Sequence, residues 1–245
     1  LYAKALTDGD PGTNPGVPLI LTATSSPLKE SDYPSRASVT AVYNQVVNDL
    51  VKAETLLPST NSRYATKWAA AAQLARVYLT LGKYAEARDA ANRVLTGSGK
   101  VLNPTFANLW FTYINFGGVT PTEYLFYIKV TTQDGVNSLN TYFGRTIGSI
   151  PGTAGRSDCK IRDAHRALYE AGDQRNYFQL SGGNYYTKKH LDRFGDVPVI
   201  RLSEMYLIRA EGNFRSGTTV GATPLQDVNT IRNRADRKST RLNSS

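Results

Sequence analysis

Two histidines and one cysteine are the whole supply of imidazole and thiol in these 245 residues. A metal site or an acid–base pair built on histidine needs a second ligand at a fixed offset, such as H-x3-H on one helix face. His165 lies on an amphipathic stretch, and His190 lies among Lys188, Lys189 and Asp192. Neither has such a partner, so a structural role is the better reading of both. Cys159 follows Asp158 in a polar stretch, and a catalytic thiol needs a base that no spacing here names. Gly155-Arg156-Ser157 has only the outline of a phosphate loop. Arg156 stands where Lys is required, and Ile150 where the first Gly is required. Asp163, Glu170 and Asp173 could supply an acid and a base, but Arg162, Arg166 and Arg175 alternate with them and make ion-pair partners of them. The residues call for no catalysis, no metal and no cofactor.

The aromatic residues carry a different chemistry. There are 15 tyrosines against two tryptophans. Tyr43, Tyr78 and Tyr206 sit at helical core spacing, and packing explains them. Trp110, Tyr113, Tyr142, Tyr185 and Tyr186 fall instead in irregular segments, mixed with Asn, Asp and Arg. A sugar ring offers a flat C–H face to an aromatic and a hydroxyl rim to such polar groups. Any one of these rings could instead seal its loop onto the helices. At least one of the five is expected to touch ligand.

The elements that would position these loops are helical. Ser38 caps a helix whose apolar stripe is Val39, Val42, Tyr43, Val46, Leu50, Ala53 and Leu57, closed by Pro58. Thr66 caps a second, with Ala71, Leu74, Ala75, Tyr78 and Leu79 inward. Gly82 turns the chain into a third, from about Tyr84 to Leu95. Trp68–Leu95 has the small-and-large spacing of a tetratricopeptide-type hairpin, which buries its apolar face only against neighbours. A second, imperfect copy follows at Arg201–Ala235. Ala210 to Gly217 repeats the seven-residue step of Ala75 to Gly82, Asn213 replaces Tyr78, and Thr223-Pro224 opens the last helix. Between the copies the helical period is lost. Glu123–Val130 reads as a strand, Asn137–Gly155 and Leu180–Gly195 as irregular, and Ile161–Ala171 as a helix stopped by Gly172.

Forty per cent apolar and 20% charged residues suit one folded domain with a sizeable core. A single cysteine excludes an internal disulfide. The net charge of +9 is scattered rather than blocked, so a nucleic-acid surface has no support. No run of about 18 apolar residues marks a membrane-spanning helix. Leu1-Tyr2-Ala3-Lys4 reads like the interior of a longer protein. Residues 237–245 lose all apolar periodicity and read as a non-native or disordered tail, leaving 1–236 as the domain.

The chain resembles the SusD/RagB family of outer-membrane nutrient-binding lipoproteins. Gly16-Val17-Pro18-Leu19 is similar to its G-x-P stretch, and Asp49-Leu50-Val51-Lys52-Ala53 to its D-L-x-x-A motif. Thr66–Leu95 is similar to its hairpin, and Glu123–Val130 to its Glu-led strand. Leu168–Arg175 resembles its L-Y-x-x-G-D-x-R run, Arg201–Glu211 its R-x-x-E-x-Y-L-I-x-A-E helix, and Val228–Ala235 its N-x-I-R-x-R-A helix. Each motif alone is weak; their order and number carry the resemblance. The family's lipoprotein signal, acylated cysteine and flanking helices are not in this sequence, so it resembles an internal fragment.

The resemblance implies a mainly α fold, with tetratricopeptide-like hairpins supporting a loop-rich region and a few short strands. It implies non-catalytic binding of oligosaccharides at the surface of a Bacteroidota-type outer membrane, through an N-terminal lipid anchor. It also implies delivery to a SusC-like TonB-dependent transporter. Peptide binding within the same family is the nearest alternative. A tetratricopeptide interaction scaffold would show more repeats at a ~34-residue period, and a glycosidase would show two carboxylates converging in one cleft.

Overall fold

The computed structural model describes residue 6 and residues 8–23, 26–27, 29–30, 33–110, 120–145 and 155–235. Among them are seven α-helices and four strands, in the order α1 (Val39–Leu56), α2 (Lys67–Thr80), α3 (Tyr84–Gly97), β1 (Tyr124–Ile128), α4 (Ser138–Phe143), α5 (Asp163–Arg166), β2 (Phe178–Ser181), β3 (Asn184–Thr187), β4 (Val197–Arg201), α6 (Leu202–Ser216) and α7 (Pro224–Ala235). The fold is mainly helical. The strands pair antiparallel as two separate ribbons, β1 with β4 and β2 with β3.

The helix ends follow from local chemistry. Ser38 accepts the Ala41 amide at 3.1 Å, and Thr66 accepts the Ala69 amide at 3.3 Å. α2 ends in a Schellman turn: the Lys83 amide bonds the Tyr78 carbonyl at 2.9 Å and the Gly82 amide the Leu79 carbonyl at 3.0 Å. Gly82 makes this possible with φ +69°, a conformation that side chains resist. α6 leaves through Gly217 in the same left-handed region.

Small residues decide the packing. Ala71, Ala72 and Ala75 of α2 meet Ala87, Ala90, Ala91 and Val94 of α3, and these seven are fully buried. Leu202, Met205 and Ile208 of α6 complete that core, with Leu125 of β1 and Ile200 of β4. Alanine faces let helix axes approach closely, and two glycines go further. A Cβ on Gly212 would lie 2.7 Å from the Tyr84 carbonyl oxygen, and one on Gly97 2.2 Å from the Trp68 ring. A smaller cluster of Phe106, Leu109 and Tyr124 holds the chain after α3 against β1.

Three expectations are corrected. Asn137–Gly155, expected to be irregular, opens with the helix α4, Ser138–Phe143, capped by Asn137. The helix expected over Ile161–Ala171 contracts to the single turn of α5. Most of its stripe stays uncovered: Leu168 is 75% exposed, and Ile161 bridges Tyr185 instead. Leu180–Gly195, expected to be irregular, contains most of the β2–β3 hairpin. Gly182 and Gly183 form its two-residue turn with φ +56° and +74°, the mirror-image geometry that matches strand twist. Residues 237–245, expected to be a tail, lie outside the described residues.

Candidate functional site

The loop block is built around one extended segment, residues 155–161. On one side it bonds α4. The amides of Arg156, Ser157 and Asp158 donate to the carbonyls of Thr141, Gly144 and Tyr142 at 2.8, 3.1 and 3.0 Å. On the other side the Ile161 amide donates to the Tyr185 carbonyl at 2.8 Å, tying the segment to β3. Tyr142 and Tyr185 therefore flank the same strip of backbone.

Two asparagines fix α4. Asn137 caps it through the Asn140 amide at 2.8 Å and donates to the carbonyls of Asp192, Arg193 and Gly195. Asn140, fully buried, donates to the carbonyls of His190 and Leu191 at 2.9 Å each. A six-residue helix is not stable by itself, so these side-chain bonds hold Tyr142 in place.

An open groove of about 700 Å³ lies between this segment and the β2–β3 turn, lined by Asp158, Lys160, Ile161, Arg162, Asp163, Gly183, Asn184 and Tyr185. Its wall is mostly polar, with both signs of charge. The Arg166 guanidinium sits 3.2 Å from the ring centre of Tyr185. Tyr142 is 46% exposed, with Arg156 stacked at 5.4 Å. Arg156 also pairs with Asp158 at 3.1 Å. Arginine stacked on tyrosine leaves guanidinium edges free for hydroxyl oxygens.

The other expected site residues are placed differently. Tyr186, next to Tyr185 and so on the opposite face of β3, is 5% exposed, with Arg145 at 5.0 Å over its ring. Trp110 is half-buried in a separate cluster. It packs on Phe106 at 5.8 Å and His190 at 5.9 Å, with Lys189 and Arg201 at 5.3 and 5.2 Å. Tyr113 lies outside the described residues. Asp158, Lys160, Arg162 and Asn184 were not anticipated; the Gly182-Gly183 pair was the available signal, since it marks a hairpin tip beside them.

The candidate catalytic groups have partners. His165 meets the Tyr169 hydroxyl at 3.3 Å and packs edge-on against Phe178. Burial, with Lys189 beside it, pushes His190 down to about 4, so it is neutral near pH 7. Asp173 and Asp163 bind Arg175 and Arg166. Burial acts to raise Asp173, but the bonds from Arg175 outweigh it and hold the carboxyl below its ordinary range. Among the described residues no three His, Cys, Asp or Glu side chains could hold a metal ion, and no helix is long and apolar enough to cross a membrane.

Two family models match the chain. One, described as starch-binding and associating with the outer membrane, covers residues 2–79; the other, the SusD family, covers residues 126–243. Solved structures share the fold. A candidate sugar-binding protein from Bacteroides vulgatus superposes with a TM-score of 0.73 at 25% identity, over 93% of this chain and 52% of that one. A SusD superfamily protein from Bacteroides thetaiotaomicron gives 0.68 at 24%, over 96% and 56%. Surface glycan-binding protein A from Bacteroides uniformis gives 0.71 at 17%, over 89% and 54%. The chain thus spans little more than half the length of these proteins. No curated protein matches significantly.

Proposed function

We propose, for a chain that belongs to the SusD/RagB family, that it captures glycans without chemical change at the outer-membrane surface and hands them to a SusC-like TonB-dependent transporter. The observation that carries the reading is the family membership, joined to an open polar groove lined by Tyr185, with Tyr142 exposed on the other side of residues 155–161. The description of the first family model as starch-binding and the sugar-binding description of the Bacteroides vulgatus neighbour support glycans over other nutrients. A broad groove of mixed charge, with stacked arginines, suits a hydroxyl-rich chain better than an apolar ligand. Carboxylates consumed by arginine pairs support binding rather than hydrolysis.

In this reading the tyrosine rings take the C–H faces of successive sugars, while Asn184, Arg162 and Asp158 bond the hydroxyl rim. Tyr113, Trp110 and Tyr186 complete the aromatic set proposed from the sequence, with Tyr186 acting from beneath by holding Arg145. A glycan array on the full-length protein, followed by calorimetry on the best binder, tests it. Tyr185→Ala is expected to weaken binding about tenfold or more, the scale of an interface hot spot, with only a small loss of stability from the contact to Arg166. Binding to a peptide pool and to no glycan would assign a peptide-uptake role instead.

A further inference from the structure

A second cavity, of about 220 Å³, shares no residue with the groove above. It opens between the loop joining α1 to α2, the start of α2, residues 98–100 and β1. Its wall combines aromatic rings with hydroxyls: Tyr64, Trp68 and Tyr127 among Ser and Thr side chains. Tyr64 is 68% exposed at the rim. Trp68 lies against Gly97, where the lack of a Cβ leaves room for the ring.

The charge of this wall is one-sided. Arg63 and Lys100 line it, and no carboxylate does. Asp196, bonded to Thr120 at 2.9 Å, already pairs with Lys129 at 3.2 Å. Exposed Asp134 acts on Arg63 from outside the lining. No described carboxylate lies within ion-pair distance of Lys100. The residue is exposed as a whole, but its surroundings desolvate the ammonium enough to lower its pKa. α2 starts at this wall with no acidic residue in its first turn, so its positive end is not offset there. The net charge of +9 favours the approach of an anion.

We propose that this cavity is a second saccharide site, selective for a sugar bearing a carboxylate, with the acid group at the Lys100 ammonium and the ring against Tyr64. The sugar half of the proposal rests on the glycan-binding reading; the anion half rests on the cavity alone. At about 220 Å³ the space suits one ring, below the roughly 300–1,000 Å³ of sites for larger ligands.

Methyl β-D-glucuronide and methyl β-D-glucoside are the probes, titrated against the full-length protein by ligand-observed NMR, with inorganic sulfate as competitor. The glucuronide is expected to bind at least tenfold tighter than the glucoside. Lys100→Gln should remove that preference, and Tyr64→Ala should weaken the glucuronide severalfold. Equal binding of the two sugars, no glucuronide binding at millimolar concentration, or a preference that survives Lys100→Gln overturns the proposal. So does full displacement by sulfate combined with indifference to Tyr64→Ala, which would leave an anion hole with no sugar site. Tyr185→Ala separates the two sites: it should weaken neutral glycans in the first groove and leave the Lys100-dependent preference intact. Neutral glycans that bind nowhere, beside a glucuronide that does, would sink only the reading of the first groove.

Discussion

Glu123 is fully buried, with Arg234 and the Asn103 amide on one carboxylate oxygen and Arg201 and Ser203 each 3.5 Å from the other. A buried ion pair contributes little beyond an apolar replacement, but removing one partner strands the other. Glu123→Ala should therefore destabilise the protein by about 3–5 kcal/mol, read as a lower urea midpoint; Glu123→Gln should cost less, because the amide still accepts. His190 sets a pH dependence of known sign. Its folded pKa, pushed down to about 4, lies below the ordinary value of 6.5. The unfolded state then binds the extra proton, so stability is full above pH 6.5 and is lost as pH falls toward 4, by on the order of 3 kcal/mol. His190→Gln should flatten that part of the urea-midpoint profile, and an unchanged slope would assign the loss to carboxylates. The sequence showed that Arg76, Arg201, Glu204 and Arg234 belong to recognisable motifs, with Arg209 at an unspecified position within one of them. It did not show that Arg76 pairs with Glu204 at 2.7 Å, or that Arg209 holds Asp227 and Asn92. Such partners are set by tertiary approach, and local spacing carries no record of it.

Helices with a cap and a turn residue were legible, because Ser38, Thr66, Gly82 and Gly217 act on their own neighbours. α5 was not, since its stripe had the right period but too little surface to cover it. The second hairpin shows why an imperfect repeat still folds. Asn213, where the first hairpin has Tyr78, donates to the carbonyls of Val220 and Ala222 and accepts the Val220 amide. It organises a longer loop from inside, which the first hairpin, with its tight Schellman turn, does not need. Gly212 marks the closest approach of α6 to α3. Gly212→Ala should push these helices apart and cost about 1–3 kcal/mol. Gly82→Ala, where a Cβ meets nothing within 4 Å, pays only for its positive φ, about 1 kcal/mol. Urea midpoints that reverse this order would show that the α3–α6 interface yields to an added methyl group.

At the scale of the molecule, the two kinds of structure differ in what holds them. α2, α3 and α6 share one apolar core, and Arg76–Glu204 and Arg209–Asp227 lock it from either side. Among the described residues, the block carrying Tyr142 and Tyr185 has no such core. It rests on backbone bonds along residues 155–161, two asparagines and arginines stacked on tyrosines. Few buried apolar contacts mean low-energy local opening. Amides of Ala71–Ala75, Ala87–Val94 and Met205–Ala210 should therefore exchange hydrogen only through global unfolding, while those of Phe178–Thr187 exchange faster through local opening. A bound glycan should slow local exchange at Thr141–Gly144, Arg156–Ile161 and Asn184–Thr187. It should slow the three helices as well, by the factor 1 + L/Kd, with L the free glycan concentration, that stabilises the native state globally. Slower exchange in α2 and α3 with the three loop segments unaffected would put the ligand on the scaffold, away from the loop block. Because amides that need global unfolding slow by that factor wherever the ligand sits, it is the loop amides, which exchange by local opening, that report the position of the site.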